Sequence, residues 1–271
     1  MHGIPGKPQE RATLHIVTYP SKRPRKLHRG MRGPPTPTDF LWCLRIHGAS
    51  SSRPASLYRS AITLHDVGFY REQVLPRLVD RACGTSGLRR WRATVTEGLA
   101  GRVVEIGFGS GLNVDFYPPD VEVVLAVEPA AVAWKLADKR VRQSGVAVEH
   151  IGLDGQSIPL DDDSCDGALS TFTLCAIPDP HQALAELRRV MRPGARFHFL
   201  EHGLAPDPGI AAWQRRLEPW QRRLADGCHL TREPVVLVRE SGFTIEHVEE
   251  RYAKGPKPWS WFSAGIATNP R

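Results

Sequence analysis

The chain contains 271 residues, which is long enough for one large α/β domain with a sizeable hydrophobic core. Its formal net charge of +7 comes from residues 1–60, where 11 basic side chains stand against two acidic ones, whereas residues 61–271 are close to neutral. A nearly neutral folded part lacks the basic surface that binds a phosphate backbone, so we expect no nucleic-acid partner.

Cysteine usage and hydropathy indicate the compartment. The five cysteines are scattered and show no C-x-x-C spacing, so the sequence predicts neither a disulfide framework nor a metal site. No run approaches the ~18 apolar residues of a membrane span, and the amino terminus lacks the pattern of a signal peptide. We therefore expect a cytoplasmic protein without an integral membrane segment.

The amino-terminal segment differs in composition from the rest of the chain. Residues 1–60 carry eight prolines and few periodic apolar positions, which predicts a basic, proline-rich, disordered leader. Residues 61–98 have apolar side chains at helical spacing, including Leu75 and Leu78 in one segment and Trp91 in the next. We predict two helices here, which form a lid over the domain that follows.

Strands and helices then alternate through residues 99–203, the predicted cofactor-binding core. The predicted strands are 103–106, 121–127, 146–151, 166–170 and 195–200. The predicted helices run from Pro129 to about Gln143 and over Asp179–Met191, and Pro193-Gly194 ends the second one. Apolar strands between amphipathic helices predict a doubly wound α/β fold with a mainly parallel, seven-stranded sheet. Its last two strands, 243–252 and 261–267, are expected to form an antiparallel pair within a substrate-side region, residues 204–271.

The sequence Glu105-Ile-Gly-Phe-Gly-Ser-Gly111, at the end of the first strand, carries the most chemical information. Glycine is needed where the backbone adopts positive φ or where a ligand approaches the main chain closely. Such a turn at the carboxyl end of a parallel strand forms nucleotide pockets. The dinucleotide fingerprint G-x-G-x-x-G would need a glycine where Leu112 stands, so we do not expect an NAD-dependent dehydrogenase.

The E-x-G-x-G-x-G turn resembles the first motif of the class I S-adenosylmethionine-dependent methyltransferases. The resemblance implies S-adenosyl-L-methionine as the cofactor and S-adenosyl-L-homocysteine as the product. Glu105 is then expected to neutralise the ammonium group of the donor, directly or through water. Glu128, at the end of the second strand, is expected to accept hydrogen bonds from both ribose hydroxyls.

Two later loops supply further candidates for the donor site. Asp154, after the third strand, is expected to accept a hydrogen bond from the adenine amino group, although an Asp before Gly155 is also typical of a turn. Thr171 and Phe172 end the fourth strand and fit the core as well as they fit the methyl-donor side. The predicted cofactor-binding residues are Glu105, Gly107, Phe108, Gly109, Gly111, Asn113, Glu128, Pro129, Asp154, Gly155, Gln156, Thr171 and Phe172.

Other segments narrow the resemblance. Residues 187–201 are similar to the late motif of the ubiquinone/menaquinone-type methyltransferases. Phe69-Tyr70, Leu200-Glu-His-Gly203 and Asp226-Gly-Cys-His-Leu-Thr-Arg232 resemble methyltransferase-like proteins whose animal members methylate alkyl thiols. Those animal proteins begin with a hydrophobic membrane-anchoring helix, and the polar leader departs from that pattern. Membrane association is therefore not expected.

The chemistry of the acceptor gives a partial argument about the substrate. Methyl transfer is an in-line displacement, so approach geometry and desolvation can supply much of the catalysis. A thiol already supplies some thiolate at neutral pH, and we predict a small apolar acceptor with a thiol sulfur. A hydroxyl or an acidic carbon would need a dedicated base, for which His202 is the candidate, although a structural histidine fits that position equally well. The predicted substrate-side residues are Tyr70, Trp213, Trp220 and His229.

Two other functions remain open from the sequence. A quinone or a lipid headgroup could accept the methyl group on carbon, oxygen or nitrogen. A protein that binds S-adenosylmethionine without turnover would carry the same cofactor residues. The sequence does not indicate an oligomeric state.

Overall fold

The computed structural model describes residues 69–271, so the leader predicted for residues 1–60 lies outside the described residues. The strands are β1 (Gly101–Ile106), β2 (Val121–Val127), β3 (Val148–Gly152), β4 (Cys165–Thr171), β5 (Met191–His202), β6 (Thr244–Tyr252) and β7 (Trp261–Thr268). They form one sheet in the order β3-β2-β1-β4-β5-β7-β6. All neighbouring strands from β3 to β5 pair in parallel, and β7 is antiparallel to both β5 and β6. The predicted sheet and its final antiparallel pair are confirmed.

Helices connect most of these strands. They are α1 (Leu75–Cys83), α2 (Ser86–Thr96), α3 (Ala131–Ser144), α4 (Pro180–Val190), α5 (Pro208–Leu224), α6 (Pro234–Glu240) and α7 (Lys257–Ser260). A π-helical turn, Tyr70–Val74, leads into α1, and a 3-10 turn, Val114–Phe116, follows the loop after β1. None of the described helices is both long and apolar enough to cross a membrane.

The helices cover both faces of the sheet. Side chains alternate between the two faces of a strand, so neighbouring residues of β1 enter different cores. Val103 packs with Trp91 of α2 and Ala137 of α3, whereas Val104 belongs to the core that contains Leu184 of α4. The fold is therefore doubly wound, as the alternation of apolar strands and amphipathic helices predicts.

The structure corrects the predicted end of α4. Asp179 caps the helix with its side chain, as expected, but the helix ends at Val190 and β5 begins at Met191. Pro193-Gly194 lies inside β5, at an irregularity of its pairing with β4. The physical reason is that Met191 already pairs with Cys165, so the chain enters the sheet before the proline.

Two further differences concern helix positions. Pro129 precedes the N-cap residue Ala130 and is not in the first turn of α3, because the Glu128 carboxylate accepts the Ala130 N–H and keeps this stretch extended. The 17-residue helix α5 is absent from the predicted elements, although Pro208 at its first turn is a helix-start signal.

Candidate active site

The turn after β1 exposes bare main chain at one of its three glycines. Gly107, Gly109 and Gly111 have φ values of 67°, 57° and 71°, which are conformations that favour glycine. A Cβ on Gly107 would lie 2.0 Å from the Thr173 hydroxyl oxygen, so this glycine lets the loop after β4 pack against the turn. Among the described residues, a Cβ on Gly109 would meet nothing nearer than the Gly107 carbonyl oxygen, at 3.8 Å. A ligand can therefore approach the main chain at Gly109.

Glu128 follows β2 and connects this strand to the glycine turn. Its carboxylate oxygens accept the Gly109 N–H and the Ala130 N–H, both at 2.7 Å. The side chain is buried, and burial raises its carboxyl pKa although the two backbone hydrogen bonds lower it. Each oxygen retains a lone pair after these bonds. The carboxylate can therefore accept ribose hydroxyl donors in addition to its backbone partners.

Asp154 is exposed and forms a turn after β3. Its Oδ1 accepts the Gln156 backbone N–H at 2.8 Å and the Gln156 side-chain amide at 3.1 Å, and Oδ2 accepts no hydrogen bond from the described residues. The Gln156 amide oxygen accepts the Asp179 N–H, at 2.8 Å, at the start of α4. The turn is thus present, and one carboxylate oxygen stays available to a ligand. Phe108, by contrast, is buried against Trp134.

Glu105 lies behind the turn and not on its surface. Its side chain is fully buried, and its oxygens accept hydrogen bonds from the Asn113 amide, at 2.6 Å, and from the Tyr117 hydroxyl. Burial raises the pKa of this carboxyl to about 7, while the hydrogen bonds from Tyr117 and Asn113 oppose the shift. A direct contact with a donor ammonium group does not fit this geometry, because the carboxylate has no exposed surface. Glu105 instead holds the loop that follows the glycines.

Arg92 on α2 belongs to the same buried network and was missing from the predicted site. Its guanidinium donates hydrogen bonds to the Asn113 amide oxygen at 2.7 Å, to the Thr171 hydroxyl at 3.2 Å and to the Cys83 carbonyl at 3.3 Å. The side chain is 4% exposed, and burial lowers its pKa. The sequence does carry a signal for it: Arg92 stands three residues before Val95, on the apolar face of the predicted helix.

The loop after β4 is held by Glu201, a buried residue of β5. The Glu201 carboxylate accepts the N–H groups of Thr173, at 3.0 Å, and Leu174, at 3.2 Å. Phe172, which precedes them, has a φ of 55°, a conformation that non-glycine residues rarely adopt. Its ring packs edge-on against Phe262 at a centroid distance of 5.1 Å. The bonds to Glu201 and this packing offset the local backbone strain.

The same loop brings Cys175 close to two residues from distant parts of the chain. Cys175 Sγ lies 3.7 Å from Cys228 Sγ, and His202 Nε2 lies 3.1 Å from Cys228 Sγ. All three atoms are within 4.8 Å of one another. The sequence spacing gave no indication of this cluster, because its members are brought together only by the strand order of the sheet.

Electrostatics in this cluster, Cys175, His202 and Cys228, favour a thiolate at one position. The hydrogen bond from Cys175 and the contact with His202 lower the pKa of the Cys228 thiol to about 4, against the opposing effect of burial. The contact with Cys228 raises the pKa of Cys175 well above its usual value. Burial lowers the pKa of His202, but its contact with Cys228 outweighs burial and raises it.

The segment 226–232 is fastened to the loop after β4. The His229 N–H donates to the Cys175 carbonyl at 2.8 Å, and Arg232 donates to the Ile177 carbonyl at 2.7 Å. The His229 ring contacts the Glu218 carboxylate at 2.7 Å. These contacts give His229 a structural role that fixes the position of Cys228, and its substrate-side role stays a prediction.

The remaining predicted substrate residues have different surroundings. The Tyr70 hydroxyl donates to the Leu224 carbonyl at 2.8 Å and so connects the π-helical turn to the end of α5. Trp213 and Trp220 are 55% and 68% exposed. Helix α5 buries Gln214 instead, and both tryptophans are largely exposed in the described part of the chain, so their substrate-side role stays a prediction.

Two surface cavities lie away from the glycine turn. One, of about 670 Å³, is bounded by α5, α6 and the sheet near Trp261, and the other, of about 860 Å³, lies near Gly101 and Asp166 at the amino ends of the strands. Neither is lined by a predicted donor-binding residue. The carboxyl edge of the sheet, and not cavity size, therefore locates the candidate site.

Replacing Arg92 with methionine should lower the free energy of unfolding by about 3 kcal/mol, because Asn113 and Thr171 would lose a buried charged donor. The matched control is Arg89→Met on the same helix, since Arg89 is 58% exposed and its ion pair should contribute less than about 1 kcal/mol. Denaturant unfolding followed by circular dichroism measures both variants. Equal losses would show that the buried network adds no stability.

The raised pKa of Glu105 predicts a pH-dependent stability difference between the protein and its Glu105→Gln variant. An unfolded glutamate titrates near 4.5 and the folded one near 7, so the folded state binds the proton more tightly. The stabilisation from this group is complete below pH 4.5 and is lost as the pH rises to 7, by up to about 3 kcal/mol. The variant should therefore gain stability relative to wild type across this range, as thermal melting measures. A difference that does not change with pH would contradict the raised pKa.

Comparisons with known proteins agree with this geometry. Residues 104–199 match a family model described as a methyltransferase domain. The chain is 33% identical to thiol S-methyltransferase TMT1B of Homo sapiens over 176 residues, which cover 62% of this chain and 69% of that protein. It is 32% identical to the Rattus norvegicus protein of the same name over 171 residues, which cover 60% of this chain and 66% of the relative. The chain thus spans about two thirds of the length of these relatives.

A solved structure shows the same fold. A putative methyltransferase from Bacillus halodurans superimposes with a TM-score of 0.55 at 13% identity, covering 68% of this chain and 99% of that one. At this identity the likeness shows the fold alone. The strand order, the glycine turn and the sequence relatives lead to one conclusion: this chain belongs to the class I S-adenosylmethionine-dependent methyltransferases.

Proposed function

We propose that the protein transfers the methyl group of S-adenosylmethionine to the sulfur of a small thiol. The observation that carries this choice of acceptor is the 32–33% identity to proteins named thiol S-methyltransferases. The bound donor supplies a methyl carbon that is activated by its sulfonium sulfur. The protein has to hold the acceptor in line with that carbon and to keep water away.

The residues at the carboxyl edge of β1, β2 and β3 fit the donor. Gly109 offers a main-chain surface free of side chains, against which the methionine and ribose parts can lie. Glu128, beside it, has lone pairs for the ribose diol. Asp154 keeps one carboxylate oxygen for the adenine amino group. Glu105 acts from behind as a positioning residue, since its partners Asn113 and Tyr117 order the loop that carries the glycines.

The state of the buried acids supports a thiol over a hydroxyl or carbon acceptor. Glu105, Glu128 and Glu201 all accept hydrogen bonds from protein donors, and His202 Nε2 faces Cys228. Among the described residues at this edge, none of these four groups is a free general base. A hydroxyl or carbon acid needs such a base, whereas a thiol with a pKa of about 8.5 is partly ionised at neutral pH.

Incubation with labelled S-adenosylmethionine and four acceptors tests the proposal. The acceptors are a short alkyl thiol, a phenol, a reduced quinone and ethanolamine. We expect label in the thioether alone, at a rate that rises with pH as the thiol ionises. Transfer to the phenol, the quinol or the amine instead of the thiol would identify that compound as the acceptor. Binding of S-adenosylmethionine without transfer to any of the four would indicate a binding protein.

The Glu128→Ala variant should bind S-adenosylmethionine about 1–3 kcal/mol more weakly, roughly a 5- to 150-fold increase in Kd, because the ribose hydroxyls would lose a buried acceptor. Glu122→Ala is the matched control, since Glu122 is an exposed acid of β2, the strand that Glu128 follows. Isothermal titration measures Kd, and thermal melting verifies folding, because Glu128 also accepts backbone donors. An unchanged Kd in a folded variant would remove Glu128 from the donor site.

A further inference from the structure

Three potential metal ligands meet beside the proposed donor site and take no part in holding the donor. Cys175 lies in the loop after β4, His202 is the last residue of β5, and Cys228 follows α5. All are side chains of the types that bind zinc, two sulfurs and one imidazole nitrogen. Two cysteines and a histidine are also the protein ligands of a known class of catalytic zinc site, in which the fourth position is left open.

Two of the three separations between the ligand atoms are close to those around a tetrahedral ion. Zinc–sulfur bonds of about 2.3 Å and zinc–nitrogen bonds of about 2.0–2.1 Å place two sulfurs about 3.8 Å apart and a sulfur and a nitrogen about 3.5 Å apart. The observed separations are 3.7 Å between Cys175 Sγ and Cys228 Sγ, and 3.1 Å between Cys228 Sγ and His202 Nε2. Cys175 Sγ and His202 Nε2 lie within 4.8 Å of each other, so the imidazole has to move for one ion to reach all three ligands. A disulfide would instead require the sulfurs to approach to about 2.05 Å.

The polypeptide keeps the three side chains in place without a metal. Glu201 anchors the loop that carries Cys175, and the backbone hydrogen bond from His229 to Cys175 fastens the segment that carries Cys228. The Gln221 amide lies 3.5 Å from Cys228 Sγ, where it can donate to a metal-bound thiolate. Ligands held in advance by their surroundings lose less entropy when the ion binds.

We propose that Cys175, His202 and Cys228 bind a zinc ion whose fourth position takes the acceptor thiol. The proposal rests on the function proposed above and deepens it, because it assigns the site that activates the acceptor. The site lies at the carboxyl edge of the sheet, where parallel strands present their ligand sites, since His202 ends β5 and Cys175 lies in the loop after β4.

The ion would change the acceptor in a defined way. A thiol that enters the fourth position releases its proton to solvent and stays bound as a thiolate. Its sulfur then forms the bond to the methyl carbon as the bond between that carbon and the sulfonium sulfur breaks. The products are a methyl thioether, S-adenosylhomocysteine and the released proton. A neutral thioether is a weaker ligand than a thiolate, so the product leaves the metal.

The surroundings of the His202 ring determine the expected affinity of the site for zinc. His202 Nδ1 is buried and has no partner among the described residues, so it carries the ring proton when Nε2 binds the ion. Zinc-binding histidines usually donate that proton to a carboxylate or carbonyl, and losing such a partner costs about 10- to 100-fold in metal affinity. We therefore expect zinc that remains bound during dialysis but is removed by a strong chelator.

Zinc content and cobalt spectroscopy of the full-length protein, purified under reducing conditions, test the site without any enzyme assay. We expect about one zinc per chain by mass spectrometry, reduced at least 10-fold in Cys175→Ser, Cys228→Ser and His202→Ala. The matched control is Cys83→Ser, a partly buried thiol outside the cluster, which should keep its zinc. Cobalt exchanged into the wild-type protein should show thiolate charge-transfer bands and the intense visible bands of tetrahedral coordination.

Adding a short alkyl thiol without S-adenosylmethionine should shift the cobalt bands, because the thiol occupies the open position.

A wild-type protein that binds neither zinc nor cobalt, or one whose Cys175 and Cys228 are joined as a disulfide, would overturn the proposal. Thiol methylation unaffected by removal of the metal would overturn it too, while leaving the proposed function intact. Zinc binding without any thiol methylation would retain the metal site and refute its role in methyl transfer, together with the proposed function. Retained titration of S-adenosylmethionine shows that a variant without zinc is still folded.

Discussion

A carboxylate in the protein interior is costly unless donors surround it, and three such carboxylates stand at the carboxyl edge of this sheet. Glu105 on β1, Glu128 after β2 and Glu201 on β5 are each under 10% exposed. Each draws its donors from a loop: the side chains of residues 113 and 117, the backbone at 109 and 130, and the backbone at 173 and 174. The hydrogen bonds that these three carboxylates accept therefore fix the positions of the loops that form the candidate site.

This arrangement separates two tasks along the edge of the sheet. On the side of β1 and β2, buried acids shape a main-chain surface at Gly109 that suits a nucleoside. On the side of β4 and β5, Glu201 positions Cys175 next to His202 and Cys228. The first half has the geometry expected of the methyltransferase family. The second half supplies sulfur and imidazole groups that the donor does not need, and this is why we assign them to the acceptor.

Much of the fold could be predicted because its signals are local. Apolar runs bounded by turn residues place β2 at Val121–Val127, as predicted, and the other strands within a few residues. The cap at Asp179 and the apolar stripe of α4 identify that helix. The misplaced end of α4 and the unpredicted α5 have a common cause. Both depend on tertiary contacts, and local propensity gives no information about such contacts. For the end of α4, the contact is the pairing of Met191 with Cys165.

The residues of the candidate site follow the same distinction between local signals and tertiary contacts. The glycines, Glu128 and Asp154 can be proposed from the sequence because each stands at a strand end whose position follows from the sequence pattern. Arg92 is outside the predicted site, although its place on an apolar helical face is a signal for it. An aromatic composition does not show which way a helix faces, so it predicts a pocket role for Trp213 and Trp220 without indicating that both are exposed.

Local patterns in the sequence are enough to predict the alternation of strands and helices, the turn with alternate glycines and the acid after the second strand, because these depend on neighbours a few positions apart. The folded chain shows two properties that the sequence pattern does not contain. Glu105 points inward, where burial raises its pKa to about 7, and two cysteines 53 residues apart lie 3.7 Å from each other. These properties depend on solvent exclusion and on strand order, because both arise only when distant segments pack together.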